Sequence, residues 1–251
     1  MLRANDRNKM SKVVKAARSV RSVRNKRRTN VSRSREQSQP GRKAAAPELF
    51  PMFLKLEGKR CLVVGAGRIA ESKIESLARC GARVRVVAPQ ATEAVREAAR
   101  AGTITWEQRR FRSSDLAGIF LVVAGTSSPE LHERIFRLAQ RAHILCNAVD
   151  EPDRCDFYYP AVVRRGPLQI AVSTGGRAPS LAQRLRHELV NHFPAEYGEW
   201  TEELGRARNT VMAETHSPEE RKERMAKLTS AQAFDEFRSS VTAARAAKDR
   251  A

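Results

Sequence analysis

Three short stretches hold residues whose types and spacing support chemistry. The first is Gly65-Ala66-Gly67-Arg68-Ile69-Ala70, a G-x-G-x-x-A pattern between an apolar run and a helix-like segment. Gly65 allows a tight turn, Gly67 lets the backbone approach a diphosphate, and Ala70 lets the helix pack on the strand. The unpaired N–H groups that open a helix favour an anion at that point. Glycines alone are a weak sign. With a strand before, a helix after and a second strand ending about 20 residues on, the pattern points to a dinucleotide. The bland alternative is a tight turn in an α/β domain of another function. The second strand ends Val87-Ala88-Pro89-Gln90, with no carboxylate for a ribose 2′-hydroxyl. Arg83 and Arg85 lie on that strand but before its end, so NAD is preferred while NADP stays open.

The second stretch is Asn147-Ala148-Val149-Asp150, a polar residue and a carboxylate flanking the end of an apolar strand. Ligands of open α/β sheets sit beyond the carboxyl ends of the strands. A carboxylate there serves as a proton acceptor or as an ordinary cap. Thr126, just past another strand, carries the same two readings. The third stretch is Ser173-Thr174-Gly175-Gly176-Arg177-Ala178-Pro179-Ser180, where hydroxyls and small residues precede a helix. It reads equally as an anion-holding turn, with Arg177 toward a carboxylate, and as simple helix capping. No histidine pair has metal spacing, so no metal site is expected. All five histidines are read as surface or capping residues.

Such residues need elements to hold them. Apolar runs at 61–64, 119–124 and 144–149, with alternating runs at 83–88 and 103–109, read as strands. Helical periodicity covers 70–80, 92–100 and 129–141, and strands alternating with helices of this length build a parallel, doubly wound sheet. After Asp150, residues 157–163 and 168–173 read as β-rich runs joined at Arg164-Arg165-Gly166-Pro167. An amphipathic helix then follows Pro179, with Leu181, Leu185, Leu189 and Val190 as its stripe. From Phe193 the chain is charged and helix-rich, with Trp200, Leu204, Met212, Met225, Leu228, Phe234 and Phe237 as expected packing positions. The fold class is therefore α/β: a Rossmann-like sheet, a β-containing region and a small helical domain.

Charge is concentrated at one end of the chain. The formal net charge is +19, and residues 1–43 hold fifteen of the 47 Lys and Arg but two of the 28 acids. That segment lacks the apolar groups of a core and reads as a disordered basic tail, with 10–23 as a helix-capable stretch. It is a solvated tail, sequence translated upstream of the true start, or an arm for nucleic acid or an anionic surface. The four cysteines have no CxxC pair, no run approaches a membrane span, and the start has no signal-peptide pattern. A cytoplasmic location with reduced thiols is the expectation.

Taken in order, these segments resemble the precorrin-2 dehydrogenase family, the amino-terminal module of siroheme synthase. The resemblance rests on Phe50-Pro-Met-Phe-Leu-Lys-Leu-Glu-Gly-Lys-Arg60, Val64-Gly-Ala-Gly-Arg-Ile-Ala-Glu-Ser-Lys73, Gly81-Ala-Arg-Val-Arg-Val-Val-Ala-Pro89 and Leu121-Val-Val-Ala-Gly-Thr126. It continues through Asn147-Ala-Val-Asp150, Cys155-Asp-Phe-Tyr-Tyr-Pro-Ala161, Arg165-Gly-Pro-Leu-Gln-Ile-Ala-Val-Ser-Thr-Gly-Gly176 and Pro179-Ser-Leu-Ala-Gln-Arg-Leu-Arg186.

The resemblance implies NAD-dependent oxidation of precorrin-2 to sirohydrochlorin by a homodimer. Some members also insert Fe2+, which makes iron a second substrate to test. It places the functional aspartate on Asp150 and nucleotide contacts on Gly67, Arg68, Ile69, Pro89 and Gln90, to which the strand-end motifs add Gly65 and Thr126. The family's hydroxyl position is Thr174; Asn147, Gly175, Gly176 and Arg177 are expected substrate contacts by their own chemistry, and the tail has no part in the resemblance. Gly-Ala-Gly stands where Gly-Gly-Gly is common, Ala148 where Val is usual, and Thr174 where a serine is sometimes modified. The implied organisation is a tail (1–46), an NAD-binding domain (47–157), a dimerisation region (158–192), a helical domain (193–240) and a C-terminal tail (241–251). The alternative is an NAD(P)-sensing or nucleic-acid-binding regulatory module that uses the basic tail.

Overall fold

The computed structural model describes residues 48–248. The basic tail expected at 1–46 lies outside them. Five parallel strands form the main sheet: β1 (Arg60–Val64), β2 (Arg83–Val87), β3 (Thr105–Glu107), β4 (Leu121–Ala124) and β5 (Leu145–Ala148), in the order β3-β2-β1-β4-β5. The crossovers are α1 (Arg68–Arg79), α2 (Glu93–Arg100) and α3 (Pro129–Arg141). Between β3 and β4 the connection is a 3-10 turn, Ser113–Leu116, in place of an α-helix.

Valine, leucine and isoleucine dominate the central strands because both faces of a parallel sheet are covered. One face packs Cys61, Val63, Val84, Val86, Leu121 and Val123 under α1 and α2. The other packs Leu62, Val64, Val122, Ala124 and Cys146 against Ile135 and Ala139 of α3. Each fully buried side chain of this kind contributes about 1.5–3 kcal/mol. The helices start on local capping signals: Thr92 accepts from the Val95 N–H, and Ser128 accepts from Leu131 ahead of Pro129.

After β5 the chain turns back on itself. Cys155 bridges Asn147 antiparallel to the edge strand. The Asp156 carboxylate accepts from the Cys146 N–H at 2.9 Å and from Gln140 at 2.8 Å. Residues 157–160, expected as strand, are irregular. The Phe157 carbonyl is taken by Asn147, Pro160 has no N–H for a ladder, and Phe157 and Tyr159 pack onto the α1 side of the sheet. A separate hairpin follows, β6 (Ala161–Arg165) with β7 (Leu168–Val172), turning at Gly166-Pro167, so Arg164 and Arg165 belong to the strand.

Four helices complete the chain: α4 (Pro179–His192), α5 (Tyr197–Glu214), α6 (Pro218–Leu228) and α7 (Ala231–Lys248). Arg165 donates to the carbonyls of Phe193 (2.7 Å) and Val190 (3.0 Å), closing the C-terminus of α4 with a cation. Phe234 stacks on Tyr197 at 4.0 Å between centroids, and Trp200 lies 5.0 Å away. Two expectations are corrected here. The boundary at 240 falls inside α7, whose helical residues Ala243, Ala244, Ala246 and Ala247 carry it on, so 241–248 are not a tail. Met212 and Leu228, expected to pack, are 43% and 36% exposed.

Candidate functional site

The carboxyl ends of β1, β4 and β5 are in register at Val64, Ala124 and Ala148. The next residues continue the row, with Gly65 donating to Val87, Gly125 to Val64 and Val149 to Ala124. Gly65, Thr126 and Asp150 therefore emerge along one edge of the sheet. This is the edge where open α/β sheets take ligands.

The two glycines of the first turn differ in kind. Gly65 has φ +103°, and a side chain there would meet the Gly125 backbone and come within 3.2 Å of Thr126 Cγ2. Only glycine fits it. Gly67 is exposed, and a Cβ there would meet nothing within 4 Å. It is also the N-cap of α1 and has no side-chain capping bond, so the first N–H groups of α1 are presented to whatever occupies that space. This is a cradle that a side chain would fill, and its chemistry fits a diphosphate. Arg68 and Ile69 are exposed on the first turn of α1, and Pro89 and Gln90 are exposed after β2. Arg85 bonds Glu107 at 3.3 Å and the Asp115 carbonyl, so it is turned away from this edge.

Asp150 is exposed, with φ +63°, a left-handed conformation that aspartate tolerates better than most residues. Its charge acts on two neighbours. Lys73, half-buried on α1, has its pKa drawn below the ordinary lysine value by burial, against the opposing pull of Asp150. The Lys73 ammonium sits over the Tyr159 ring, 4.0 Å from its centroid. The Tyr159 hydroxyl is buried with no hydrogen-bond partner, and burial raises its pKa.

The second neighbour is His132, whose reading as a surface or capping residue is corrected: it is 4% exposed. Its Nε2 accepts from the Thr126 N–H at 3.3 Å, and its Nδ1 lies 2.8 Å from a Glu151 oxygen. An accepting Nε2 fixes the tautomer, so Nδ1 carries the hydrogen and donates to Glu151. Glu151 also pairs with Arg154, which reaches Glu133 at 2.6 Å. His132 thus ties the turn after β4 to the turn after β5, beside Asp150. Burial lowers its pKa, the Thr126 bond and Asp150 opposing.

The remaining expected residues are placed as follows. Asn147 is buried, and its amide donates to the Phe157 carbonyl (2.8 Å) and Cys155 Sγ (3.3 Å). Its donor is a tether for the returning chain, not an open contact toward the edge. The Thr174 hydroxyl accepts from the Ala178 N–H at 3.1 Å, which gives it a capping bond ahead of α4. Gly175 and Gly176 have φ +61° and +77°, and Arg177 is exposed. The Tyr158 ring lies beside this loop, 3.8 Å from where a Gly176 side chain would begin. Burial pushes the Cys61 thiol up to about 11 and the Cys146 thiol to about 12, so neither supplies a thiolate. Among the described residues no three His, Cys, Asp or Glu side chains cluster to hold a metal ion, and no helix is long and apolar enough to cross a membrane.

Residues 52–161 match the family described as putative NAD(P)-binding, and 165–192 match the one described as sirohaem biosynthesis protein central. Over about two thirds of its length the chain is similar to siroheme synthases. It is 39% identical over 168 residues to siroheme synthase 1 of Pectobacterium atrosepticum, covering 67% of this chain and 35% of that protein. It is 40% identical over 173 residues to the siroheme synthase of Neisseria meningitidis serogroup C, covering 69% and 36%. The chain therefore spans about a third of the length of these curated relatives. Its fold matches a solved structure of SirC, a precorrin-2 dehydrogenase, with a TM-score of 0.64 at 24% identity, covering 77% of this chain and 99% of that one.

Proposed function

We propose that this chain oxidises precorrin-2 to sirohydrochlorin with NAD, in the cytoplasm, as a homodimer. The observation that carries the reading is the shared edge: a bare glycine turn at Gly65 and Gly67, with Asp150 beyond the end of β5 on the same side of the sheet. The similarity to siroheme synthases and the match to a putative NAD(P)-binding family support the same reaction.

Precorrin-2 loses a hydride and a proton; NAD, when bound, is the hydride acceptor and becomes NADH. The chain's own residues hold the partners and handle the proton. Gly67 and the first N–H groups of α1 receive a diphosphate, with Arg68, Ile69, Pro89, Gln90 and Thr126 around it. Asp150 accepts the proton released from the macrocycle. Lys73 beside it, and Arg177 with Thr174, Gly175 and Gly176, meet the substrate's acidic side chains. Asn147 and His132 act through others, holding the turns that carry Asp150 and Thr126.

The test is the appearance of NADH when the full chain is mixed with precorrin-2 and NAD, with NADP in parallel. No NADH, or faster NADPH formation, overturns the reading. The homodimer is supported by apolar side chains left uncovered on the helices, Leu181 at 39% and Met212 at 43% exposure. The four free cysteines fit a reducing compartment. Iron insertion rests on family resemblance, and siroheme absorbance from sirohydrochlorin, Fe2+ and protein decides it. The regulatory, nucleic-acid-binding alternative draws on the tail alone. Salt-sensitive polynucleotide binding that vanishes without residues 1–46 would be its signature.

A further inference from the structure

Arg83 and Arg85 have no role at the nucleotide edge, and the structure places them elsewhere. Strands of a parallel sheet read as near-continuous apolar runs because helices cover both faces. β2 departs from this: it reads Arg-Val-Arg-Val-Val, with Val84 and Val86 buried under α1 and α2 and the arginines alternating to the opposite face. The short 3-10 turn of the β3–β4 connection, with Phe111 and Leu116, covers Val87 at the carboxyl end of β2 but leaves that face open at the amino-terminal ends of β2 and β3. A cleft of about 640 Å3 results at the amino-terminal ends of the strands, lined by Arg60, Arg83, Arg85, Thr103, Thr105 and Ser114 among others.

Its charges are unequally partnered. Arg85 and Arg109 share Glu107 and Asp115, two bases against two acids, with Arg109 to Asp115 at 2.6 Å and Arg85 to Glu107 at 3.3 Å. Arg60 and Arg83 are direct register partners on β1 and β2, and no carboxylate lines the cleft with them. Like charges directly opposite on neighbouring strands repel. The Arg60 guanidinium lies beside Gly118, where φ is +66° and a Cβ would run into it, so the glycine leaves that fork room.

We propose that this cleft is a second anion site, at the opposite end of the sheet from the Gly65–Asp150 edge. Its ligand is a small oxyanion with two or more negative groups, phosphate or carboxylate. Arg60 and Arg83 face it as bidentate donors, with the hydroxyls of Thr103, Thr105 and Ser114 at the rim. Guanidinium forks match both oxyanions in geometry, and two adjacent forks favour a ligand with paired charges. The site stands independently of the dehydrogenase reading.

The experiment is calorimetric titration of the full chain with pyrophosphate and, separately, citrate at low salt. Wild type is compared with Arg60→Gln/Arg83→Gln. Both residues are exposed, so thermal melting of the double variant is expected to match wild type. Any binding to the basic tail is common to both proteins and cancels in the comparison. Wild type binds at least one probe, and the double variant binds it at least about tenfold more weakly. The stronger probe tells phosphate from carboxylate. Equal binding by the two proteins, or no binding by wild type, overturns the site. So does loss of NAD binding together with anion binding in the double variant, because the arginines then act on the whole fold. If NAD fails to bind wild type while the anion effect persists, the dehydrogenase reading falls and this one stands.

Discussion

The two halves of the described chain are built differently. Both core clusters draw all their buried members from residues 56–148, around the five-stranded sheet. From residue 161 onward the buried apolar side chains are Ala161, Val163, Ala182, Val211 and Phe234. The hairpin and four helices thus make a thin layer held by one aromatic stack, by Arg165 and by scattered contacts, with Leu181, Met212 and Leu228 left in solvent. A sheet covered on both faces closes its own core, whereas a thin helical layer gains most from a second surface. The proposed chemistry thus falls on the half with a closed core, and the proposed pairing of copies on the half without one.

Four changes break or sharpen that contrast, in descending order of effect. Asp150→Asn keeps the left-handed turn and removes the base. Precorrin-2 turnover followed as NADH is expected to fall about 10²- to 10⁴-fold with NAD affinity unchanged. Next, the two glycines separate folding from binding. Gly65→Ala is expected to lower the melting temperature by several degrees, because strain at such a φ is worth about 1–3 kcal/mol. Gly67→Ala is expected to melt like wild type yet bind NAD at least about tenfold more weakly by calorimetry, since its Cβ takes the diphosphate's space.

Third, Leu181→Glu with Met212→Glu is expected to raise the dimer dissociation constant at least about tenfold by light scattering. The near-UV signature of the first half should stay unchanged. The smallest effect is one of pH. His132 is held below the ordinary imidazole value by burial, so below about pH 6.5 the unfolded chain takes up a proton that the native chain refuses. Stability is therefore expected to rise with pH through that window, by at most about 1.4 kcal/mol per pH unit, in urea melts. His132→Asn should flatten the slope.

The first half was legible because its signals are local. Gly65-Ala-Gly67 announces a turn by itself, and runs such as Leu121-Val-Val-Ala124 announce buried strands. Ser128-Pro129 fixes the start of α3. His132 escaped because its burial depends on Thr126 and Glu151 arriving from two other elements, which no spacing along α3 reveals. Lys73 stands just after the glycine turn, yet its nearness to Asp150, far along the chain, leaves no mark on local spacing. Residues 157–160 have strand-like side chains, but the Asn147 amide claims the Phe157 carbonyl and overrides local preference. Met212 and Leu228 have core-like side chains in a layer too thin to bury them.

The bridge between Asn147 and Cys155 has a further consequence. Beside it, the outward N–H and carbonyl of Cys146 are taken by the carboxylate and N–H of Asp156, while β3 at the other margin is three residues long. Neither margin of the five-stranded sheet offers a long row of unpaired amides to a stranger, which guards this half against ribbon-like aggregation even at high concentration. The pairing of copies proposed above is therefore assigned to the hairpin and helices, away from this sheet.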